Sequence, residues 1–280
     1  MTCFVDSDII LSVKIKGGIT MDKIFSAFLM QLIFTVGIIV LFGLIIAMLN
    51  KAFYRNLSGA GMTACYITGF IGTPIHELSH ALFCVLFGHR IVEIKLFQIS
   101  GDGTLGYVNH SYNKRNIYHN IGNFFIGVAP IIGIALAFYG VNVWLVPDMA
   151  GSIVNSLNSV DYTGGISAIF NGVISTVGIF FSYANSWQWW VLLIIGIFLA
   201  LHMTLSGADI KGAFSGIIAY VIVLFLINLV LGLININLMN GFTSIVISLG
   251  SFLVNYLIIS AVISIVAVLV SFIIKKVFRL

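Results

Sequence analysis

Long runs of apolar residues alternate along the chain with short polar breaks. Runs long enough to cross a bilayer, about 20 residues each, fall at roughly 25–49, 62–88, 119–146, 187–207, 212–236 and 243–274. The pattern predicts an all-α polytopic membrane protein with about six transmembrane helices. These spans form a single membrane-embedded domain over 25–280, after an N-terminal segment, 1–24, that contains no span.

Residues 90–110 interrupt the helical pattern between the second and third spans. Apolar residues at 92, 94 and 96 alternate with Glu93 and Lys95, and Gly101-Asp102-Gly103 is a turn signal. Alternation followed by a glycine-containing turn predicts a short β-hairpin on the cytosolic face. The alternative is an interfacial loop with no role of its own.

The composition agrees with a membrane location. Hydrophobic residues make up 60% of the chain and charged residues only 8%, against about 25% charged in typical soluble domains. The net charge of +4 arises from basic residues between apolar runs, where they act as topology signals beside anionic lipid. Nucleic acid is therefore not an expected partner. Cys3, Cys65 and Cys84 show no CxxC spacing, so no disulfide framework is expected.

The distribution of positive charge predicts an orientation. If the N-terminus is cytosolic, Lys51 and Arg55 are the only two of the 13 basic residues that fall in outer segments. The positive-inside rule then predicts both termini in the cytosol, in a bacterial plasma membrane. Codons for Lys16-Gly17-Gly18 can form a purine-rich ribosome-binding site, which raises Met21 as an alternative start to Met1.

The second span contains the segment His76-Glu77-Leu78-Ser79-His80, an HExxH motif. On a helix, residues four apart lie on nearly the same face, about 6 Å apart along the axis. Two imidazoles so placed can bind one zinc ion. Glu77 projects about 100° away from His76, beside the metal. There it can take a proton from a zinc-bound water.

The motif is unexpected in a chain with 6 His and two Glu; we estimate roughly one chance in a thousand for an accidental match. An ionisable residue near the centre of a lipid-exposed helix costs about 2.5–3.5 kcal/mol, so such residues usually mark a function. The alternative is a set of polar residues that satisfy one another inside a helix bundle.

Zinc requires a third protein ligand, and two residues can supply it. Asp209 lies in a break between apolar runs, where Gly207 and Gly212 allow the backbone to bend toward a cavity. His202 lies on about the same helical face but about 10 Å deeper. The bendable backbone favours Asp209, whereas depth in the membrane is closer for His202, so both stay candidates; an ordinary interfacial turn is the alternative interpretation of the Asp209 segment.

An HExxH motif on a transmembrane helix, a hairpin, another span and an Asp in a glycine-containing break resemble the site-2 protease family of intramembrane zinc metalloproteases. The resemblance covers about 69–212, and this chain would be a compact, divergent member with Ser79 where the family commonly has Gly. It implies that His76, His80 and Asp209 bind one zinc ion and that Glu77 is the catalytic base. The family's Asn and Gly-Pro element have counterparts in Asn120, Asn123 and Ala129-Pro130.

The expected function is zinc-dependent endopeptidase cleavage of membrane-anchored or transmembrane peptides near the cytosolic side of the bilayer. Asn123 is a candidate for substrate binding, with helix–helix contact as its alternative. The hairpin edge can pair with an unwound substrate, and an accessory membrane protein is a possible further partner. The alternative functions are a non-catalytic transporter, immunity factor or regulatory subunit with a vestigial or sensory metal site, and a peptidase acting at the membrane surface.

Overall fold

The structure, a computed structural model, describes residues 14–15, 19–101, 103–158 and 165–278. The predicted ribosome-binding segment at 16–18, most of the N-terminal segment 1–24 and the turn residue Asp102 lie outside these ranges. The described chain is almost entirely helical, with two small antiparallel hairpins. The strands are β1 (Lys14–Ile15), β2 (Ile19–Thr20), β3 (Arg90–Lys95) and β4 (Tyr107–Ser111).

Nine α-helices are described along the chain. They are α1 (Met21–Leu32), α2 (Ile38–Asn56), α3 (Gly61–Leu86), α4 (Ile117–Leu145), α5 (Pro147–Asn158), α6 (Gly165–Ser182), α7 (Trp187–Leu201), α8 (Gly207–Ile234) and α9 (Ile236–Phe278). A π-helical turn, Ile33–Gly37, joins α1 to α2, so the two form one continuous rod.

Within the described residues, four helical segments are long and apolar enough to cross a membrane. They are Met21–Asn56, α4, α8 and α9. An all-α membrane protein is thus supported, but the expected count of six spans is not confirmed.

The two remaining predicted spans fall short for different reasons. Helix α3 is long enough at 26 residues, but His76, Glu77 and His80 lower its mean hydropathy. Helix α7 is strongly apolar but has only 15 residues, which gives a length of about 22 Å against a hydrocarbon core of about 30 Å.

The segment 147–186, between the third and fourth predicted spans, contains α5 and α6. Part of α6, Phe170–Ser182, is a short apolar helix, and both helices pack against α9 and each other. Burial of Met149, Ile153 and Phe180 in the main hydrophobic core explains why this segment is helical rather than extended.

Helix α4 lies at the centre of the bundle, with α3, α7, α8 and α9 packed around it. Two glycines permit the closest of these contacts. A Cβ atom at Gly127 would lie 2.5 Å from the Asp209 carbonyl oxygen, and Gly216 of α8 faces the α4 backbone in the same way. The first turns of α8 therefore lie directly against α4, close to the HExxH motif of α3.

The predicted hairpin between α3 and α4 is confirmed. Strands β3 and β4 pair in antiparallel register from Arg90–Ser111 to Lys95–Tyr107, with an irregularity between Ile91 and Glu93. The connection reverses at Gly103, whose φ of +81° is a conformation that glycine adopts without strain. The hairpin packs against α3 and so brings β4 to the motif.

Candidate metal centre

The HExxH motif lies on the half of α3 nearest the hairpin. The rings of His76 and His80 are 5.1 Å apart between centroids. Their Nε2 atoms are separated by 3.3 Å. The helical spacing therefore brings two potential ligand atoms to one point, as the sequence predicted.

Two backbone carbonyls outside α3 orient these rings. The Nδ1 atom of His76 donates to the His202 carbonyl at 3.0 Å, and Nδ1 of His80 donates to the Ile126 carbonyl at 2.7 Å. A carbonyl oxygen only accepts, so both Nδ1 atoms carry hydrogen. In neutral rings both Nε2 atoms then present lone pairs toward the same point. A carbonyl behind each metal-binding imidazole is the arrangement common in zinc sites.

The sequence explains why these two carbonyls are available to the histidines. Pro130 has no N–H and leaves the Ile126 carbonyl, four residues earlier in α4, without its helical partner. His202 follows the last residue of α7, where the final carbonyls have no partner within the helix. A proline and a helix end thus each supply an acceptor to the motif.

Asp209 joins the two imidazoles from the first turn of α8. Its Oδ1 lies 3.1 Å from Nε2 of His80, and its Oδ2 lies 3.8 Å from Nε2 of His76. The carboxylate also accepts from the Ser206 backbone N–H at 2.7 Å, while the Ser206 hydroxyl accepts from the Asp209 N–H. This capping box stabilises the start of α8 and fixes the carboxylate at the site.

The donor set suits a metal cation. One ligand atom from each of His76, His80 and Asp209 lies within 4.8 Å of the other two, so the three residues could hold one metal ion. A tetrahedral zinc ion with ligands at about 2.0–2.2 Å separates them by about 3.3–3.6 Å. The two Nε2 atoms are 3.3 Å apart, which falls in this range, and the carboxylate lies 3.1 Å from His80 through Oδ1 and 3.8 Å from His76 through Oδ2. The assignment of zinc stays a prediction.

The imidazole of His202, the rival third ligand, points elsewhere. Its Nε2 lies 3.0 Å from the Thr68 hydroxyl and its Nδ1 lies 3.4 Å from the Thr73 hydroxyl. Only its backbone carbonyl reaches the site, through His76. The sequence could not show this, because the role depends on where α7 ends relative to α3.

A cavity of about 330 Å³ opens onto the three potential ligands. Glu77 lies at its wall with 6% of its surface exposed and no hydrogen bond to a described residue. Asn123 also lines the cavity, with 4% exposure, and its side chain likewise bonds to no described residue. Both candidate residues thus face the space where a substrate would lie, although their roles stay predictions.

Strand β4 provides cavity-lining residues that sequence reasoning did not select. They are Tyr107, Val108, Asn109 and His110. The sequence did predict a hairpin at residues 90–110, directly after the HExxH helix. It did not show which strand of that hairpin lies against the motif, because this depends on tertiary packing.

No protein-family model, no curated protein and no solved structure matches this chain. The resemblance to the site-2 protease family therefore stays a prediction based on the motif and its spacing.

Proposed function

We propose that this protein is a zinc-dependent endopeptidase that cleaves membrane-anchored or transmembrane peptides. The observation that carries the proposal is the convergence of His76, His80 and Asp209 in one cavity with the carboxylate of Glu77. Two oriented imidazoles, an acid from another helix and a further carboxylate in one cavity are the groups that metal-assisted hydrolysis requires.

His76, His80 and Asp209 would hold the ion. When bound, zinc supplies Lewis-acid polarisation of a carbonyl and lowers the pKa of a water toward neutrality. Glu77 takes a proton from the attacking water and delivers it to the nitrogen of the cleaved bond, so that a carboxylic acid and an amine leave. Asn123 can donate from its amide to the substrate backbone or to the developing oxyanion.

The substrate must be extended at the cleaved bond, because the carbonyls of a transmembrane helix are hydrogen-bonded within the helix. Strand β4 lines the cavity and, among the described residues, pairs only with β3. Its other edge can bind an unwound peptide by strand addition. The hairpin is proposed to lie on the cytosolic side, so cleavage would occur near that side of the bilayer.

The test is cleavage of a membrane-anchored peptide library by purified protein in detergent, followed by mass spectrometry of the products. Wild-type protein should release defined fragments, and a chelator should abolish them. The Glu77→Gln variant keeps the size and polarity of the side chain but cannot act as a base. Fragment release by this variant at the wild-type rate would overturn the proposal, and bound zinc without any turnover would favour a metal sensor.

A further inference from the structure

Three histidines form a hydrogen-bonded chain at the end of the hairpin nearest the bundle. Nδ1 of His89 lies 3.0 Å from Nδ1 of His110, and Nε2 of His89 lies 2.9 Å from the carbonyl oxygen of His119. Tyr112 stacks on the His89 ring at 4.8 Å between centroids. His89 is buried, with 5% exposure, whereas His110 and His119 are half-buried.

The hydrogen bonds determine which nitrogen of each ring carries hydrogen. Because the His119 carbonyl only accepts, Nε2 of His89 must donate. Burial lowers the pKa of His89, which favours the neutral ring with a lone pair on Nδ1. The short contact between the two Nδ1 atoms then requires that His110 donate from Nδ1. Proton exchange on His110 is therefore confined to Nε2.

This cluster does not have the geometry of a second metal site. Within the described part of the chain, the ligand atoms of His76, His80 and Asp209 lie within 4.8 Å of one another. No such group of three contains His89 or His110. The facing Nδ1 atoms already share a hydrogen, and the other nitrogen of His89 is committed to a carbonyl. A role in which only His110 Nε2 is available fits better.

The position of His110 gives that nitrogen something to act on. His110 lines the cavity that contains Glu77 and Asp209, whereas His89 does not. Since Nδ1 of His110 is directed at His89, the opposite edge of the ring, with Nε2, is left for the cavity.

We propose that His110 is a substrate-binding residue whose Nε2 accepts a hydrogen bond from a backbone N–H of the extended peptide. This inference rests on the proposed endopeptidase function. A peptide unwound inside a membrane protein loses its helical hydrogen bonds, and each buried N–H left without an acceptor carries a substantial free-energy cost. A neutral imidazole held in one tautomer offers an acceptor with little loss of side-chain freedom.

The surroundings of His110 favour the accepting form. Burial of the ring lowers the pKa of His110 from the ordinary value of 6.5, and a proton on His110 would also be disfavoured by any charge on the neighbouring His89. Tyr112 lies 6.3 Å away between ring centroids, and the acidic groups of Glu77 and Asp209 line the same cavity. The ring is neutral near pH 7, and its Nε2 becomes a donor only when the pH falls through this lowered pKa.

The experiment measures peptide binding in a catalytically silent background. The probe is a fluorescent membrane-anchored peptide that wild-type protein cleaves. It is titrated against the zinc-loaded Glu77→Gln protein in detergent, which is the parent, and against the parent carrying His110→Phe, His110→Ala or His110→Gln. The Phe and Ala variants lack the acceptor and should bind the peptide about tenfold more weakly, the usual effect of leaving one buried donor without an acceptor. The Gln variant retains an acceptor oxygen and should recover most of the affinity.

A matched control and a pH series separate binding from structural damage. His119→Gln changes a neighbouring imidazole but keeps the backbone carbonyl that His89 uses, so its affinity and its zinc content should equal those of the parent. Binding by the Glu77→Gln parent should weaken as the pH falls through the lowered pKa of His110, and this acid limb should be missing from the His110→Gln protein.

The outcomes distinguish this inference from the function on which it rests. If the parent binds the peptide and His110→Phe and His110→Ala bind it equally well, the role of His110 is overturned and the endopeptidase proposal stands. Loss of zinc from the His110 variants would also overturn it, by showing a role at the metal. If wild-type protein cleaves no peptide and the parent binds none, both proposals fail.

Discussion

At the scale of single residues, the spacing of His76, Glu77 and His80 was sufficient to predict that two imidazoles meet on one face of a helix. Spacing could not predict what orients them. The acceptor for His80 is the Ile126 carbonyl, which is available because Pro130 removes its helical donor. That role follows from the sequence only once α3 and α4 are known to be neighbours.

The role of Pro130 can be tested by restoring the missing N–H. In a Pro130→Ala variant the new N–H competes with His80 for the Ile126 carbonyl, so zinc affinity should fall. A carbonyl has two lone pairs, so we expect a loss of roughly three- to tenfold, below the 10- to 100-fold typical when such a partner is removed. Competition with a fluorescent chelator measures the affinity. Pro147→Ala, at the start of α5, should leave it unchanged.

Asp209 has two functions that substitutions can separate. Asp209→Asn keeps an oxygen that can accept from the Ser206 N–H but removes the negative charge, so it should weaken zinc binding by at least about tenfold with little change in melting temperature. Ser206→Ala should do the reverse, costing about 1 kcal/mol of stability through the lost cap. Chelator competition and thermal unfolding in detergent measure the two effects. Equal zinc affinity in Asp209→Asn and wild type would exclude Asp209 as a ligand.

At the scale of elements, apolar runs predicted the approximate positions of most long helices, and alternation predicted the hairpin. Apolarity alone did not distinguish a span from a shorter helix, which is why α7 was expected to cross the membrane. It also missed α5 and α6, whose helical structure depends on burial against α9. Contacts between elements, such as that between α4 and α8, depend on which helix each small residue faces, and a single sequence does not show this.

Gly127 is the element-scale test, because it lets α8 approach α4 where α8 carries Asp209. A Cβ at this position would lie 2.5 Å from the Asp209 carbonyl oxygen, so Gly127→Ala must displace the α8 backbone. Zinc affinity should fall about tenfold or more, since ligand positions tolerate errors of only about 0.5 Å. Gly140→Ala is the control on the same helix, where the added Cβ meets nothing within 4 Å. Equal affinity in the two variants would contradict this account of the α4–α8 contact.

At the scale of the whole molecule, composition predicted a membrane protein, and the four candidate spans in the described residues agree with it. The orientation of the termini stays a prediction from the distribution of basic residues. Long-range polar contacts between the spans were beyond sequence reasoning. Gln31 of α1 and Asn228 of α8 exchange two amide hydrogen bonds, of 2.9 and 2.7 Å, and Gln31 also donates to Thr243 of α9. One buried side chain thereby connects three spans.

This amide pair gives a prediction about stability. Gln31→Leu leaves the buried amide of Asn228 without its interhelical partner, which should reduce stability by roughly 1–3 kcal/mol. The double variant Gln31→Leu/Asn228→Leu removes both polar groups and should recover much of that loss. Thermal unfolding in detergent measures the effect, with zinc content as the check that the distant metal centre is intact. If the double variant lost more stability than the two single variants lose together, the interpretation of two amides that satisfy each other would be contradicted.

The central claim is that His76, His80 and Asp209 bind one zinc ion. The most direct test is the zinc content of purified protein after exposure to stoichiometric zinc and removal of free metal. The account predicts about one zinc per chain in wild type and in Glu77→Gln, and far less in His76→Ala and His80→Ala proteins that remain folded. A wild-type protein without zinc, or full zinc content in His80→Ala, would contradict it.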